Sequence, residues 1–215
     1  MKIPKTIHQI WIGPNKPPEF LGSWRDKHPD YKWILWDNKA VKSIMPLYNQ
    51  RLFNNCAKKA KKDGAYMAGL ADIIRYEILY KYGGIYLDAD IDCLRPLEGD
   101  FLESELFIPY VLDEIENVLS IAVIGCIPKH PILNSMMQRL HKHKKMKDTP
   151  NKLTGSIAFT DVIEKSNCEV CKLPTYYFNP THYSGAKYQA WDKFYPFGEH
   201  YWMTARRLFE AGQSS

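Results

Sequence analysis

Residues 65–90 read AYMAGLADIIRYEILYKYGGIYLDAD, a stretch that predicts a helix, a turn and a strand in direct succession. Apolar side chains recur with the 3.6-residue period of a helix over residues 65–82, and Gly83-Gly84 is a typical helix stop. Ile85-Tyr86-Leu87 predicts a short strand, which leads directly into Asp88-Ala89-Asp90. The chain therefore places two carboxylates where a strand ends. The apolar positions of the helix are Met67, Leu70, Ile74, Ile78 and Leu79.

Strands and helices alternate through the rest of the chain. β-Branched and aromatic residues predict strands at residues 5–13, 31–36, 106–112 and 118–127. Asn38 is the expected cap of the second helix, and residues 176–202, rich in Tyr, Trp, His and Pro, predict a long wrapped segment. The alternation predicts an α/β fold with a mostly parallel central sheet and flanking helices. The predicted helices between the strands cover residues 20–27, 39–48, 50–62, 131–145 and 155–165.

The composition is that of a folded protein. Of the 215 residues 45% are hydrophobic and 13% aromatic, which excludes a disordered chain, and there is neither a glycine period nor a heptad repeat. The length predicts a single domain over residues 1–215. The longest apolar stretch, residues 118–127, has about half of the ~20 residues that a membrane helix needs. Residues 1–5 have no signal-peptide core, so we expect a soluble cytoplasmic protein, with peripheral attachment to a membrane or an acidic surface left open.

The charge and the cysteines give weaker indications. The 29 Lys+Arg and 24 Asp+Glu residues leave a net charge of +5, and its local sources are the run from Lys142 to Lys147 and residues 58–62. Such runs are most often solvated faces, and nucleic-acid binding is the alternative that they leave open. Five cysteines are scattered along the chain, and Cys168 and Cys171 lack the second ligand pair of a zinc site. We expect reduced structural thiols.

Asp88 and Asp90 form a candidate metal site. On extended backbone, residues two apart point to the same side, so both carboxylates can face one point. Their mutual repulsion is relieved by a divalent cation, and oxygen ligands favour Mg²⁺ or Mn²⁺. Asp92 continues the same side, but Cys93 is not the glycine of an EF-hand loop. A solvated acidic turn is the alternative interpretation.

Asp72 and Arg75 lie three residues apart on the predicted helix and therefore share a face. A surface ion pair is one interpretation. In the other, the tight Gly83-Gly84 turn brings the helix back along the strand, and both side chains approach the two carboxylates. Tyr86 points the same way as Asp88, which places it beside a bound donor. The sequence contains no Walker loop and no G-x-G-x-x-G motif, so any nucleotide must be bound by another device.

Two blocks of the sequence carry a family resemblance. Residues 3–13, IPKTIHQIWIG, and residues 71–90 resemble the DXD-containing glycosyltransferase family 32, which includes capsular-polysaccharide transferases and initiating mannosyltransferases. The second block is also similar to the glucosylating domains of large clostridial toxins. The resemblance implies a GT-A (Rossmann-like) nucleotide-sugar-binding fold, a nucleotide-sugar donor and a retaining transfer.

The resemblance also implies roles for individual residues. Asp88 and Asp90 would bind the metal, while Asp72 and Arg75 would hold the donor sugar and its diphosphate. Where family members often have Thr-Gly-Pro, residues 154–156 read TGS, a departure on the acceptor side. The residues that would line the nucleotide pocket are His8, Gln9, Ile10 and Trp11.

The resemblance extends to residues 199–202, which read EHYW. His200 would be a ligand for the metal or the diphosphate, and Trp202 would close over the donor. The function predicted from these features is metal-dependent transfer of a hexose from a nucleotide sugar to a glycan or glycoprotein, with a UDP-hexose favoured and GDP-mannose second. The alternatives are an inactive nucleotide-sugar- or glycan-binding module and a nucleic-acid binder that uses Lys142 to Lys147.

Overall fold

A seven-stranded sheet lies at the centre of the structure, a computed structural model that describes residues 2–112, 116–182, 185 and 195–203. The strand order is β2-β1-β3-β7-β5-β6, with β8 also paired to β5, and β4 and β9 form a separate two-stranded sheet. The strands are β1 (Thr6–Ile10), β2 (Lys32–Trp36), β3 (Gly84–Leu87), β4 (Ile91–Cys93), β5 (Leu106–Leu112), β6 (Glu116–Leu119), β7 (Val123–Cys126), β8 (Cys171–Leu173) and β9 (Gly198–His200).

Most strands of the central sheet run in one direction. β1 is parallel to β2 and β3, and β5 is parallel to β8. β7 is antiparallel to both of its neighbours, β3 and β5, and β6 is antiparallel to β5. Five of the seven strands therefore share a direction, which confirms the predicted mostly parallel α/β sheet.

Helices cover the sheet and enclose two apolar cores. Along β3, Ile85 and Leu87 belong to one core and Tyr86 to the other, as the alternation of side chains on a strand requires. Within the described residues, no helix has the length and apolar character to cross a membrane. The helices are α1 (Ser23–Lys27), α2 (Asn38–Ser43), α3 (Gln50–Ala60), α4 (Tyr66–Tyr82), α5 (Pro131–His141), α6 (Pro150–Leu153) and α7 (Ser156–Glu164).

The turn between α4 and β3 depends on its two glycines. Gly83 donates its N–H to the Leu79 carbonyl over 2.8 Å, and the φ angles of Gly83 and Gly84 are +62° and +96°. A Cβ atom at residue 84 would lie 2.5 Å from the carbonyl oxygen of Thr6, on the neighbouring strand β1. Only glycine therefore allows the chain to reverse here at this distance from β1. The reversal brings the middle of α4 back beside the end of β3.

Several predicted elements differ from the structure. The second helix, predicted over residues 39–48, ends at Ser43, since Pro46 cannot continue it, and the first strand ends at Ile10. The segment predicted as wrapped over residues 176–202 contains β9. Asp37, and not Asn38, caps α2, because its Oδ1 accepts hydrogen bonds from the N–H groups of Lys39 and Ala40. Residues 118–127 do not form one strand: they contribute to β6 and β7, which are separated at residues 120–122 by a turn whose carbonyls serve the site described below. Helix α5 ends at residue 141, since crowded lysines follow and Met146 turns inward to be buried.

Candidate active site

Asp88 and Asp90 follow β3 and meet His200 from the far end of the described chain. One ligand atom from each of the three residues lies within 4.8 Å of the others. The pairing of β4 with β9 places His200 opposite Ile91, and this register brings the imidazole to Asp90, with Nε2 3.3 Å from Oδ1. Asp92 lies on β4 outside this group, so the third aspartate of the motif does not join the other two.

The histidine is oriented as a metal ligand would be. His200 Nδ1 lies 3.1 Å from the Asn179 side-chain oxygen, which fixes the ring with Nε2 towards Asp90. The contacts that the described residues make to the Asp88 carboxylate all involve Oδ1, which leaves Oδ2 available to a cation. Two carboxylates and one imidazole are donors that suit Mn²⁺. The residues present therefore fit a divalent metal.

Arg75 connects α4 to this cluster. Its Nη2 lies 2.8 Å from Asp88 Oδ1 and 3.5 Å from Asp72 Oδ1, and its guanidinium carbon is 4.1 Å from the centre of the Tyr86 ring. Nη1 donates to the carbonyl of Ile121, in the turn between β6 and β7. The deeply buried Nε has no hydrogen-bond partner among the described residues. The guanidinium is thus held from several directions and still has an unused donor.

Two hydroxyl groups complete the polar network. Tyr86 donates from its hydroxyl to Asp88 Oδ1 over 2.7 Å, so this one oxygen accepts from both Tyr86 and Arg75. Thr154 is fully buried and donates from Oγ1 to Asp72 Oδ2 over 2.8 Å. Asp72 is therefore fixed between a hydroxyl and a guanidinium.

Burial sets the ionisation of the site. Desolvation raises the pKa of Asp72 to about 6, in spite of the neighbouring Arg75 charge. Desolvation likewise raises the pKa of Asp88, with Arg75 opposing it and Asp90 adding to it. Desolvation would also raise the pKa of Asp90, but His200 and the hydrogen bond from the Met203 N–H together outweigh it, and the pKa is lowered. The pKa of Arg75 is raised because its carboxylate neighbours outweigh its burial. Negative charge is therefore concentrated at Asp88 and Asp90, where a bound cation would reduce the repulsion between the two carboxylates.

These side chains form one wall of a cavity of about 570 Å³. Such a volume is typical of a small-molecule site. The other walls come from the end of β1, the start of α4, the turn before β7 and the start of α7. Of the residues predicted for the nucleotide pocket and the donor, those lining it are Ile10, Trp11, Asp72, Arg75, Tyr86, Asp88, Asp90, His200 and Trp202.

His8 and Gln9 do not line the cavity, although both were predicted in the nucleotide pocket. His8 is fully buried, with Nε2 2.9 Å from the Gly83 carbonyl and Nδ1 accepting from the Trp36 indole. Gln9 donates from its amide to the Asp88 carbonyl over 3.4 Å. As consecutive residues of β1 they point to opposite faces of the sheet, where His8 meets Trp36 of one core and Gln9 accepts from the indole of Trp33 beside the other.

Trp202 lies against His200, one of the three candidate metal ligands. Its ring stacks on that of His200 with centroids 4.1 Å apart, and its indole N–H donates to the Thr181 carbonyl over 2.9 Å. Its φ angle is +54°, a strained conformation for a non-glycine residue.

Some groups of the site were not predicted from the sequence. Thr154 was noted only as part of a departure on the acceptor side, yet it holds Asp72. The carbonyl of Ile121 accepts from Arg75, and that of Ala122 accepts from the Asp88 N–H over 2.8 Å. Backbone acceptors leave no side-chain pattern in a sequence. No sequence signal could therefore have identified the carbonyl groups of Ile121 and Ala122.

The fold is similar to that of GT-A glycosyltransferases. The structure resembles the one titled PaToxG Glycosyltransferase with a TM-score of 0.57 at 18% identity, over 76% of this chain and 68% of that one, a likeness that concerns the fold. Residues 14–108 match the glycosyltransferase sugar-binding region containing the DXD motif. The matched residues include Asp72, Arg75, Asp88 and Asp90, and the match agrees with the resemblance to glycosyltransferase family 32.

Curated relatives include fungal mannosyltransferases. The chain is 29% identical over 191 residues to inositol phosphoceramide mannosyltransferase 2 of Schizosaccharomyces pombe, covering 81% of this chain and 50% of that protein. It is 34% identical over 150 residues to the mannosyl phosphorylinositol ceramide synthase SUR1 of Saccharomyces cerevisiae, covering 66% of this chain and 36% of that protein. The chain thus spans half or less of the length of these relatives.

Proposed function

We propose that this protein transfers a hexose from a nucleoside diphosphate sugar to a hydroxyl group of an acceptor, with a divalent metal at Asp88, Asp90 and His200. The observation that carries the proposal is the convergence of these residues with Arg75 on one wall of the cavity. The donor set includes an imidazole, so we propose Mn²⁺ in preference to Mg²⁺. When bound, the metal supplies a Lewis acid that neutralises the departing diphosphate.

Arg75 and Asp72 would bind the two halves of the donor. The guanidinium of Arg75 is held by Asp88 and by the Ile121 carbonyl, so it presents its charge to the diphosphate without reorganising. Asp72, fixed by Thr154, would accept hydrogen bonds from hydroxyl groups of the donor sugar. The apolar surface of Ile10 and Trp11 would face the nucleoside, with Trp202 closing over the donor.

The acidic residues of the cavity support a retaining transfer. Among the described residues that line it, the carboxylates are Asp72, Asp88 and Asp90, and each is already engaged by Arg75 or His200. None is free to remove a proton from an attacking hydroxyl, as inverting transfer requires. The anomeric NMR signal of the product, compared with that of the donor, tests this point: an inverted signal would refute retention.

The relatives' names favour mannose as the transferred sugar, which makes GDP-mannose the first donor to test and a UDP-hexose the second. The acceptor is a glycan, a glycoprotein or a polyol-bearing lipid head group. The names of the relatives, which refer to inositol phosphoceramide, support the last of these.

A thermal-shift panel of GDP, UDP and their sugars, with and without Mn²⁺, tests the proposal. A ligand at ~100 times its Kd stabilises the folded state by about 2.7 kcal/mol, which gives a clear rise in Tm. We expect a metal-dependent rise for one nucleotide family, followed by slow hydrolysis of that nucleotide sugar. Binding without hydrolysis or transfer would indicate an inactive binding module. The absence of any shift would contradict the proposal.

A further inference from the structure

The two basic segments noted in the sequence lie side by side in the structure. Arg51 and Lys58 are seven residues apart on α3 and so share one side of the helix. Asn55, on the same side, accepts at its Oδ1 a hydrogen bond from the N–H of Met146 over 2.9 Å. This contact lays the 142–147 loop along α3. We call the resulting surface the basic face, and its cations include Arg51, Lys58, Lys62, Lys142, Lys144 and Lys145.

Positive charge predominates on the basic face. All six of these side chains are exposed, and none forms an ion pair within the part of the chain that the structure describes. The nearest acidic residues in sequence are Asp63 and Asp148, and each accepts a hydrogen bond from a backbone N–H close by, at Ala65 and Thr149. A concentration of unpaired cations of this kind attracts a polyanion.

The basic face reaches the rim of the catalytic cavity. Two residues after Lys62 the chain reaches Gly64, and three residues after residue 147 it reaches Pro150, and both Gly64 and Pro150 line the cavity. Near the rim, α3 and the second segment pack on the same part of α4, since a Cβ atom on Gly69 would lie 3.0 Å from Cys56 of α3, 3.4 Å from Met146 and 3.5 Å from Pro150. A polyanion bound to the basic face would therefore lie beside the entrance to the cavity.

We propose that the basic face docks this protein onto a membrane that contains anionic lipids, so that a head group of that membrane can enter the cavity as the acceptor. Five of the six cations are lysines, which act as point charges towards a diffuse anionic surface, whereas paired recognition of phosphates and bases favours arginine. The choice of a membrane over nucleic acid rests on the proposed function, since the acceptor must reach a cavity built for glycosyl transfer.

Sedimentation with vesicles tests the proposal. Vesicles of phosphatidylcholine with phosphatidylserine are compared with vesicles of phosphatidylcholine alone. We expect binding to the first only, and it should weaken as salt is raised. The test variant carries Lys142→Gln, Lys144→Gln and Lys145→Gln. The matched control carries Lys27→Gln, Lys39→Gln and Lys42→Gln, which remove the same charge from exposed positions on α1 and α2. Each membrane-facing lysine contributes about fivefold in affinity, so the test variant should lose ~100-fold and the control little.

Three results would overturn the proposal. They are no binding of the wild type to anionic vesicles, equal losses in the two variants, and binding of duplex or single-stranded nucleic acid through the basic face without vesicle binding. Hydrolysis of the nucleotide sugar, measured without vesicles, separates this proposal from the proposed function. A protein that hydrolyses the donor but does not bind vesicles would refute the docking alone, and one that binds vesicles but acts on no donor would refute the function alone.

Discussion

Arg75 Nη2 and Asp88 Oδ1 lie 2.8 Å apart, and this contact joins the middle of α4 to the end of β3. The Gly83-Gly84 reversal makes the contact possible across 13 residues of sequence. Arg75 is buried, whereas the Asp88 side chain is 26% exposed, and contacts with Asp88, Tyr86 and the Ile121 carbonyl fix the guanidinium before any ligand arrives. The cavity thus holds a positive charge and a carboxylate cluster in fixed relation, which is the arrangement that electrostatic catalysis of diphosphate departure needs.

Arg75→Lys should lower turnover of the nucleotide sugar by about 100-fold or more, because lysine keeps the charge but cannot contact Asp88 and the Ile121 carbonyl together. Steady-state kinetics on the donor identified by thermal shift measures the effect. Arg139→Lys is the matched control, since Arg139 pairs with Asp161 in a half-exposed salt bridge whose residues do not line the cavity. Wild-type turnover by Arg75→Lys would contradict the role proposed for Arg75.

Gly84→Ala should destabilise the fold by about 3 kcal/mol, because a Cβ atom meets the Thr6 carbonyl at a φ angle unfavourable for alanine. Gly64→Ala is the comparison, since no atom lies within 4 Å of its Cβ position, and its effect should stay within about 1 kcal/mol. Urea unfolding of the metal-free proteins measures both. Equal stabilities would show that the α4–β3 reversal does not require glycine.

The buried imidazole of His8 should make the stability depend on pH. Burial lowers the pKa of His8 to about 4, from an ordinary value of 6.5, and the Trp36 N–H at Nδ1 is consistent with the neutral ring. The unfolded chain then binds the proton more readily, so the contribution of His8 is complete above pH 6.5 and is lost as the pH falls towards 4. The loss amounts to about 3 kcal/mol.

The free energy of unfolding, measured between pH 7 and pH 4, isolates this effect when His8→Gln is compared with the wild type. The raised pKa of Asp72 acts in the opposite direction over part of this range, and the comparison cancels it. His8→Gln should have a flatter profile, while His141→Gln, at an exposed position, should keep the wild-type slope. Parallel pH profiles for His8→Gln and the wild type would refute the lowered pKa of His8.

The alternation of the longer helices and strands and the core of the site could be predicted because they depend on local patterns, whereas the short elements β4, β8, β9 and α6 were not predicted. The period of α4, the glycine pair and the alternation of β3 fix the helix, the turn and the side on which Tyr86 and Asp88 point. These patterns leave two interpretations of Asp72 and Arg75, a surface ion pair or an approach to Asp88, and the structure shows the second.

The remaining parts of the site depend on long-range contacts that leave no local pattern. Thr154 reaches Asp72 across 82 residues, and nothing near Thr154 in the sequence indicates its partner. His8 was expected in the pocket because of its place in a motif, but the neighbouring Gly83 carbonyl and Trp36 indole draw its side chain into the core. The turn after β6 was missed because the apolar run continues through it.

Turnover of the nucleotide sugar by Asp88→Asn and Asp92→Asn, side by side in Mn²⁺, tests the central claim most directly. Both variants replace a carboxylate by an amide in the same short motif, but only Asp88 belongs to the cluster with Asp90 and His200. We predict that Asp88→Asn loses about 100-fold or more in turnover with its far-ultraviolet circular dichroism unchanged, while Asp92→Asn stays close to wild type. Equal turnover in the two variants would contradict the account.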